Sequence, residues 1–276
     1  MNAPNAMSQA GTALRWTASK VPEVTIYFWI IKILATTVGE TAADYLNMNL
    51  GLGLRGTTVV TVALLSLTFV AQFWVDRYIP ALYWWTVLLV SVTGTLITDN
   101  LTDGIGVPLQ VSTAVFAVAL VLVFGAWYLV EGTLSIHSIR TRRREAFYWL
   151  AVLVTFALGT AAGDLIAEKL ALGYWLSLLL FAGVIGVITA LHHGFHRSAV
   201  AAFWAAYIVT RPLGASLGDL LTQPQDEGGF GLDSTMVNLV FLGVIVVLVG
   251  YLSWTKVDQI GARGGATAGV VPDIAR

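Results

Sequence analysis

Thr37-Val38-Gly39-Glu40-Thr41-Ala42-Ala43-Asp44 places two acids near the end of a long apolar run, and related stretches return three more times along the chain. They are Ile97-Thr98-Asp99-Asn100-Leu101-Thr102-Asp103, Gly159-Thr160-Ala161-Ala162-Gly163-Asp164 and Gly214-Ala215-Ser216-Leu217-Gly218-Asp219. Taking the last aspartate of each as the fixed point gives spacings of 59, 61 and 55 residues. Glu40, Asp99, Thr160 or Ala215 stands four residues earlier, and Gly39, Thr98, Gly159 or Gly214 five earlier. A period slightly longer than two membrane-crossing helices indicates one unit copied four times.

Outward from the motif, composition fixes the class. Of 276 residues, 57% are hydrophobic and 11% charged, and the mean hydropathy is +0.78. That is too little charge to cover a water-soluble globule, so the chain reads as an integral membrane protein. A net charge of -1 offers no basic patch for nucleic acid. Cysteine is absent, which removes disulfides and thiolate metal sites from consideration. Ten tryptophans and nine tyrosines suit a protein with two membrane interfaces to anchor.

Apolar runs of about 20 residues, each enough to cross a hydrocarbon core of roughly 30 Å, fall at 24–46, 57–75, 81–101, 111–134, 146–168, 172–191, 198–221 and 235–254. The expected fold is therefore an all-α membrane protein of eight transmembrane helices, arranged as four parallel two-helix repeats (about 24–80, 81–140, 141–197 and 198–256). Residues 1–23 read as a cytoplasmic tail and not a cleaved leader, and the Gly- and Ala-rich 257–276 as a disordered cytoplasmic tail. Eleven Lys and Arg residues flank one side of the spans, including Arg140, Arg142, Arg143 and Arg144, against Arg55 and Lys169 on the other. This asymmetry places both termini in the cytoplasm and the motifs at the outer end of odd-numbered helices.

Residues four apart share a helix face, so Glu40 stacks on Asp44 and Asp99 on Asp103. With Asp164 and Asp219 these make six carboxyls at membrane depth, each costing at least about 2.5 to 3.5 kcal/mol if left charged and uncompensated. The six are expected to face a shared interior and bind a small cation, or else to lie structurally among lipid headgroups. Glycines before the acids (Gly39, Gly159, Gly163, Gly214, Gly218) would let the motif helices converge or break locally. Lys32 and Arg211 lie deep in helices 1 and 7 and serve either as counter-ions to these acids or in coupling. His192 and His196 have the i, i+4 spacing of a shared metal site, although exposed imidazoles are the plainer account.

The T-T-x-G-E-x-x-x-D core within Lys32–Leu46, with Gly159–Leu165 and Gly214–Leu220, resembles a bacterial family of multi-pass membrane proteins built from tandem repeats of unknown function. The resemblance spans about residues 24–256. It implies a multi-pass inner-membrane protein and supplies no activity. The second copy departs from the pattern, with Thr98 and Asp99 in place of Gly-Glu, and the fourth has Ala215.

No phosphate loop, dinucleotide fingerprint or zinc-protease motif occurs, and nothing sets a nucleophile beside a base, so the expectation is a non-enzyme without an organic cofactor. Carboxylates without thiols favour hard cations such as Mg, Mn or the proton. The expected function is a transporter or channel for a small cation, with the lipid bilayer and that cation as partners. The alternative is a non-transporting scaffold or sensor whose intramembrane acids are structural.

Overall fold

The computed structural model describes residues 19–195 and 198–259. Among them, eight helices are long and apolar enough to cross a membrane, as expected of a multi-pass membrane protein. They are α1 (Ile26–Asp44), α2 (Gly53–Trp74), α3 (Pro80–Asp99), α4 (Leu109–Glu131), α5 (Arg142–Asp164), α6 (Gly173–Phe195), α7 (Ala199–Thr222) and α8 (Ser234–Thr255). Local chemistry sets their ends. Thr25, Thr141 and Asp233 cap α1, α5 and α8 by accepting from the backbone N–H groups of Phe28, Arg144 and Met236. Pro80 opens α3, and Gly132, at φ 71°, stops α4 in a left-handed turn.

The eight helices form two concentric layers. In the inner layer α1, α3, α5 and α7 make a closed ring, each packed against its two neighbours and hardly against the helix opposite. In the outer layer α2 packs on α3, α4 on α5, α6 on α7 and α8 on α1. Each repeat thus lends its return helix to the motif helix of the next, and the fourth closes onto the first. Burial follows the layers: 61, 78, 56 and 56% of an apolar 18-residue stretch of each inner span is buried, against 22, 11, 17 and 17% in the outer ones. The outer helices keep their apolar side chains for lipid.

Four glycines hold the ring together. A Cβ on Gly39 would collide with Ser91, on Gly94 with Phe156, on Gly159 with Arg211, and on Gly214 with Thr36. Each contacted residue stands three positions before the glycine of its own helix, so one contact is repeated four times around a pseudo-fourfold axis. Lipid offers no hydrophobic drive for helix association, so this close backbone approach is a main source of cohesion. The helices do not break at these glycines. They run on to the aspartate, after which α1, α3 and α5 widen into π-helical turns at Tyr45–Asn49, Asn100–Gly104 and Leu165–Lys169. Helix α7 instead stays α-helical to Thr222.

The four odd helices begin at one end of the bundle, where aromatic residues gather, and finish at the other, where the acids lie. At the aromatic end the chain before α1 is packed and not a loose tail: Lys20 N–H donates to the Ile139 carbonyl (2.9 Å), and the Lys20 ammonium pairs with Glu145. The start of the C-terminal tail is ordered too, against expectation: Asp258 is buried, its carboxylate accepts from the Tyr78 hydroxyl and its carbonyl from the Glu23 N–H (2.8 Å); residues 1–18 and 260–276 lie outside the described residues.

Candidate functional site

Positions four apart on each inner helix turn the ring into stacked layers. The layer at the aromatic end is Phe28, Tyr83, Tyr148 and Phe203, with the Tyr83 and Tyr148 hydroxyls 2.5 Å apart and the Phe28 and Phe203 rings 6.0 Å apart. Next come Lys32, Val87, Val152 and Tyr207, then Thr36, Ser91, Phe156 and Arg211, then Glu40, Thr95, Thr160 and Ala215. All twelve residues of these three layers are buried, so the axis is filled with side chains. The final layer is Asp44, Asp99, Asp164 and Asp219.

Arg211 binds together the layer beneath the aspartates. Its Nη2 donates to Glu40 Oε2 at 2.6 Å, to Thr160 Oγ1 at 2.7 Å and to Thr95 Oγ1. Thr95 Oγ1 also donates to Glu40 Oε2 at 3.2 Å. One guanidinium therefore links all four inner helices through the same position of the three other repeats. Arg211 is fully buried and Glu40 nearly so. A charge pair this deep persists because both members are hydrogen-bonded.

Above it stand the four aspartates. Asp219 is 9% exposed, and Asp44, Asp99 and Asp164 are half-buried. Among the described residues none of the four side chains makes a hydrogen bond or an ion pair. They lie within electrostatic reach of one another and of Glu40. Farther out, Asp103 and Glu168, both exposed, lie within reach of each other. No three carboxylate or imidazole groups among the described residues stand close enough to hold a bare metal ion together.

A family model, Repeat of Unknown Function (DUF347), matches residues 27–78, 82–133, 147–198 and 202–258. The chain belongs to that family. No curated protein and no solved structure matches it.

The DUF347 repeat starts at 27, 82, 147 and 202, which puts Asp44, Asp99, Asp164 and Asp219 each 17 residues after the start of its copy. This corrects the expected register of the second copy. Its motif aspartate is Asp99, preceded by Gly94 and Thr95, and the copy does not depart from the pattern. The spacings become 55, 65 and 55, the long one arising mostly from the α4–α5 connection and the longer start of α5. Asp103 belongs instead to the π-turn, at the position that Glu168 occupies in the third copy.

One further expectation changes. Among the described residues Lys32 pairs with no carboxylate. Its ammonium donates to Thr210 Oγ1 (2.7 Å) and the Tyr207 carbonyl (3.1 Å) and sits 3.9 Å from the Tyr207 ring centre, a cation–π contact in place of an acid. His192 lies at the far end of α6, at the rim of an apolar groove beside His193, and His196 lies outside the described residues.

One feature of the DUF347 copies was missed. In every copy a tryptophan preceded by another aromatic residue stands 15 residues before the motif aspartate: Phe28-Trp29, Tyr83-Trp84, Tyr148-Trp149 and Phe203-Trp204. These pairs build the aromatic floor of the ring, and their spacing would have given the correct register of the second copy.

Proposed function

We propose that this protein is a transporter of a small cation, a proton or a hydrated divalent metal ion, which binds at the aspartate quartet. The observation that carries this reading is that four carboxylates, one from each repeat, meet at one mouth without a single donor among the described residues. Such a group is relieved by protons or by a cation. The Arg211–Glu40 bridge lies directly beneath, where a cation moving inward would meet the guanidinium. The filled axis favours a transporter that must rearrange over an open channel. The Lys and Arg asymmetry supports both termini in the cytoplasm and the acidic mouth on the outer face of a bacterial-type inner membrane.

A second reading, a non-transporting scaffold or sensor, draws on the same filled axis and on the completeness of the Arg211 bridge. Flux separates the two. Purified protein in liposomes should move Mn2+ or protons down an imposed gradient, and Asp99→Asn and Asp219→Asn should each abolish that flux while leaving the yield of folded protein unchanged. Wild-type liposomes as tight as protein-free ones toward both ions would leave the scaffold reading.

A further inference from the structure

Below the quartet the axis holds ionisable groups that the aspartate site does not use. Lys32 is fully buried and stands twelve residues before Asp44 on α1, about 18 Å along the helix. Its ammonium is held by the Thr210 hydroxyl, the Tyr207 carbonyl and the face of the Tyr207 ring. From α3 and α5 its layer presents Val87 and Val152, the Phe156 ring stands 5.2 Å away, and α8 carries no charged residue. Among the described residues the charged group within electrostatic reach is Arg211, of like sign. A cation inside a membrane span without a carboxylate is costly, and such residues mark ion and proton pathways. Arginine keeps its proton in that setting, whereas a buried lysine can exchange it.

The neighbouring side chains are placed unevenly in an otherwise fourfold ring. In the Lys32 layer and the aromatic layer below it, each inner helix supplies one proton-bearing group and one apolar residue: Lys32 with Phe28, Tyr83 with Val87, Tyr148 with Val152, and Tyr207 with Phe203. The three tyrosines are as buried as Lys32. The Tyr83 and Tyr148 hydroxyls are bonded to each other. The Tyr207 hydroxyl lies within electrostatic reach of Tyr148 but has no partner at bonding geometry, an exception that a buried polar group needs a reason for. Tyr83 in turn lies within reach of Tyr78 and Asp258. Tyr78 donates to Asp258 Oδ2 at 2.6 Å, while the buried Oδ1 is again without a partner. At this end Tyr78 lines a hollow of about 420 Å³ with Arg77 and Lys256.

We infer that Lys32 is a proton-carrying residue of the transport cycle, served from the aromatic end through the hydroxyls of Tyr207, Tyr148 and Tyr83 and the Tyr78–Asp258 pair. This rests on the transport reading and adds that the protein moves protons, alone or in exchange for a cation at the quartet. At each hand-over one N–H or O–H bond breaks as the next forms. The Lys32 ammonium gives its proton to the Tyr207 oxygen as that hydroxyl passes its own to Tyr148, and so on to Tyr83, Tyr78 and Asp258; no electrons change hands, and the amine is reprotonated from the other side. Toward the mouth, Phe156 and the Arg211 layer stand in the way, so exchange on that side requires the filled axis to rearrange.

The test uses full-length protein in phosphatidylcholine liposomes that hold a pH-sensitive dye, under an imposed pH gradient with and without Mn2+ on the opposite side. Wild type should move protons in at least one of these conditions. Lys32→Arg keeps a cation in place without an exchangeable proton, and should abolish the movement. Tyr207→Phe removes an unbonded hydroxyl and keeps the ring against Lys32, so melting should be unchanged while proton flux falls by about a hundredfold, the low end for loss of a placed proton-transfer group. That variant reads the relay even where Lys32→Arg fails to fold. Proton flux equal to wild type in Tyr207→Phe or in Lys32→Arg overturns the inference. So does wild-type Mn2+ movement without proton movement, which leaves the transport reading standing; wild type that moves neither ion removes both.

Discussion

The two ends of the bundle treat their charges in opposite ways. At the aromatic end acids are paired: Glu145 with Lys20 and, through Gln72 Nε2, at 3.2 Å; Glu131 with Arg143 at 2.5 Å and Arg144 at 2.6 Å; Asp258 with the Tyr78 hydroxyl at 2.6 Å. At the acidic end Asp44, Asp99, Asp164 and Asp219 have no partner from the described protein. A fold that supplies donors for most of its acids at one end and leaves four equivalent ones bare at the other is not short of donors. On the proposed reading the bare end is where a cation would bind, and the Arg211–Glu40 bridge marks the boundary between the two regimes.

The sharpest way to break this contrast is at that boundary. Glu40→Gln leaves Arg211 buried without a counter-charge, and should cost about 3 to 5 kcal/mol, read as early melting in detergent. Arg211→Met in the same chain should restore most of the loss. Equal melting of Glu40→Gln and wild type would remove the bridge from the list of structural contacts.

At the paired end, Lys20→Met takes the ammonium away from Glu145 while the Gln72 amide stays, and should cost about 1.5 to 3 kcal/mol, the range for a charge-assisted hydrogen bond. At the bare end the sign reverses. Asp44→Asn, Asp99→Asn or Asp219→Asn removes repulsion and breaks no bond, so melting should hold within about 0.5 kcal/mol or rise, while flux is lost. A marked fall in melting from these changes would show that the quartet is paired after all, and would close the comparison.

The smallest effect is a pH dependence at the aromatic end. Burial raises the Asp258 carboxyl above its usual range, only partly offset by the Tyr78 hydroxyl. With the folded value above the unfolded one, the folded state holds its proton more tightly, so this contribution is present at low pH and is lost as pH rises through the folded value. Asp258→Asn should flatten the fall in melting temperature as pH rises above the usual carboxylate range; an unchanged slope would contradict it.

Which parts of this were legible in advance follows from the physics of each signal. Membrane class, eight spans and four tandem copies were readable because lipid demands about 20 apolar residues per crossing and tandem copying leaves a period. Depth was readable too, since the acids and Arg211 stand out against apolar neighbours. The register of the second copy was misread because Asp99 and Asp103 are both acids four apart on one helix face. Asp103 gave spacings that looked more even. The aromatic-tryptophan pairs would have decided between them, and the ring does so independently: Gly94 meets Phe156 as Gly39 meets Ser91, which puts Asp99 in the quartet.

The sequence by itself determined the helices, their number and which of them carry acids, because these depend on local composition and periodicity. Tertiary structure decided the partners. Nothing within α7 says that Arg211 reaches Glu40, Thr95 and Thr160 on three other helices, nor that Lys32 rests on the Tyr207 ring and not on a carboxylate. Those pairings arise when glycine contacts bring four backbones together around one axis, and a side chain's neighbours across that axis are set by the closure of the ring.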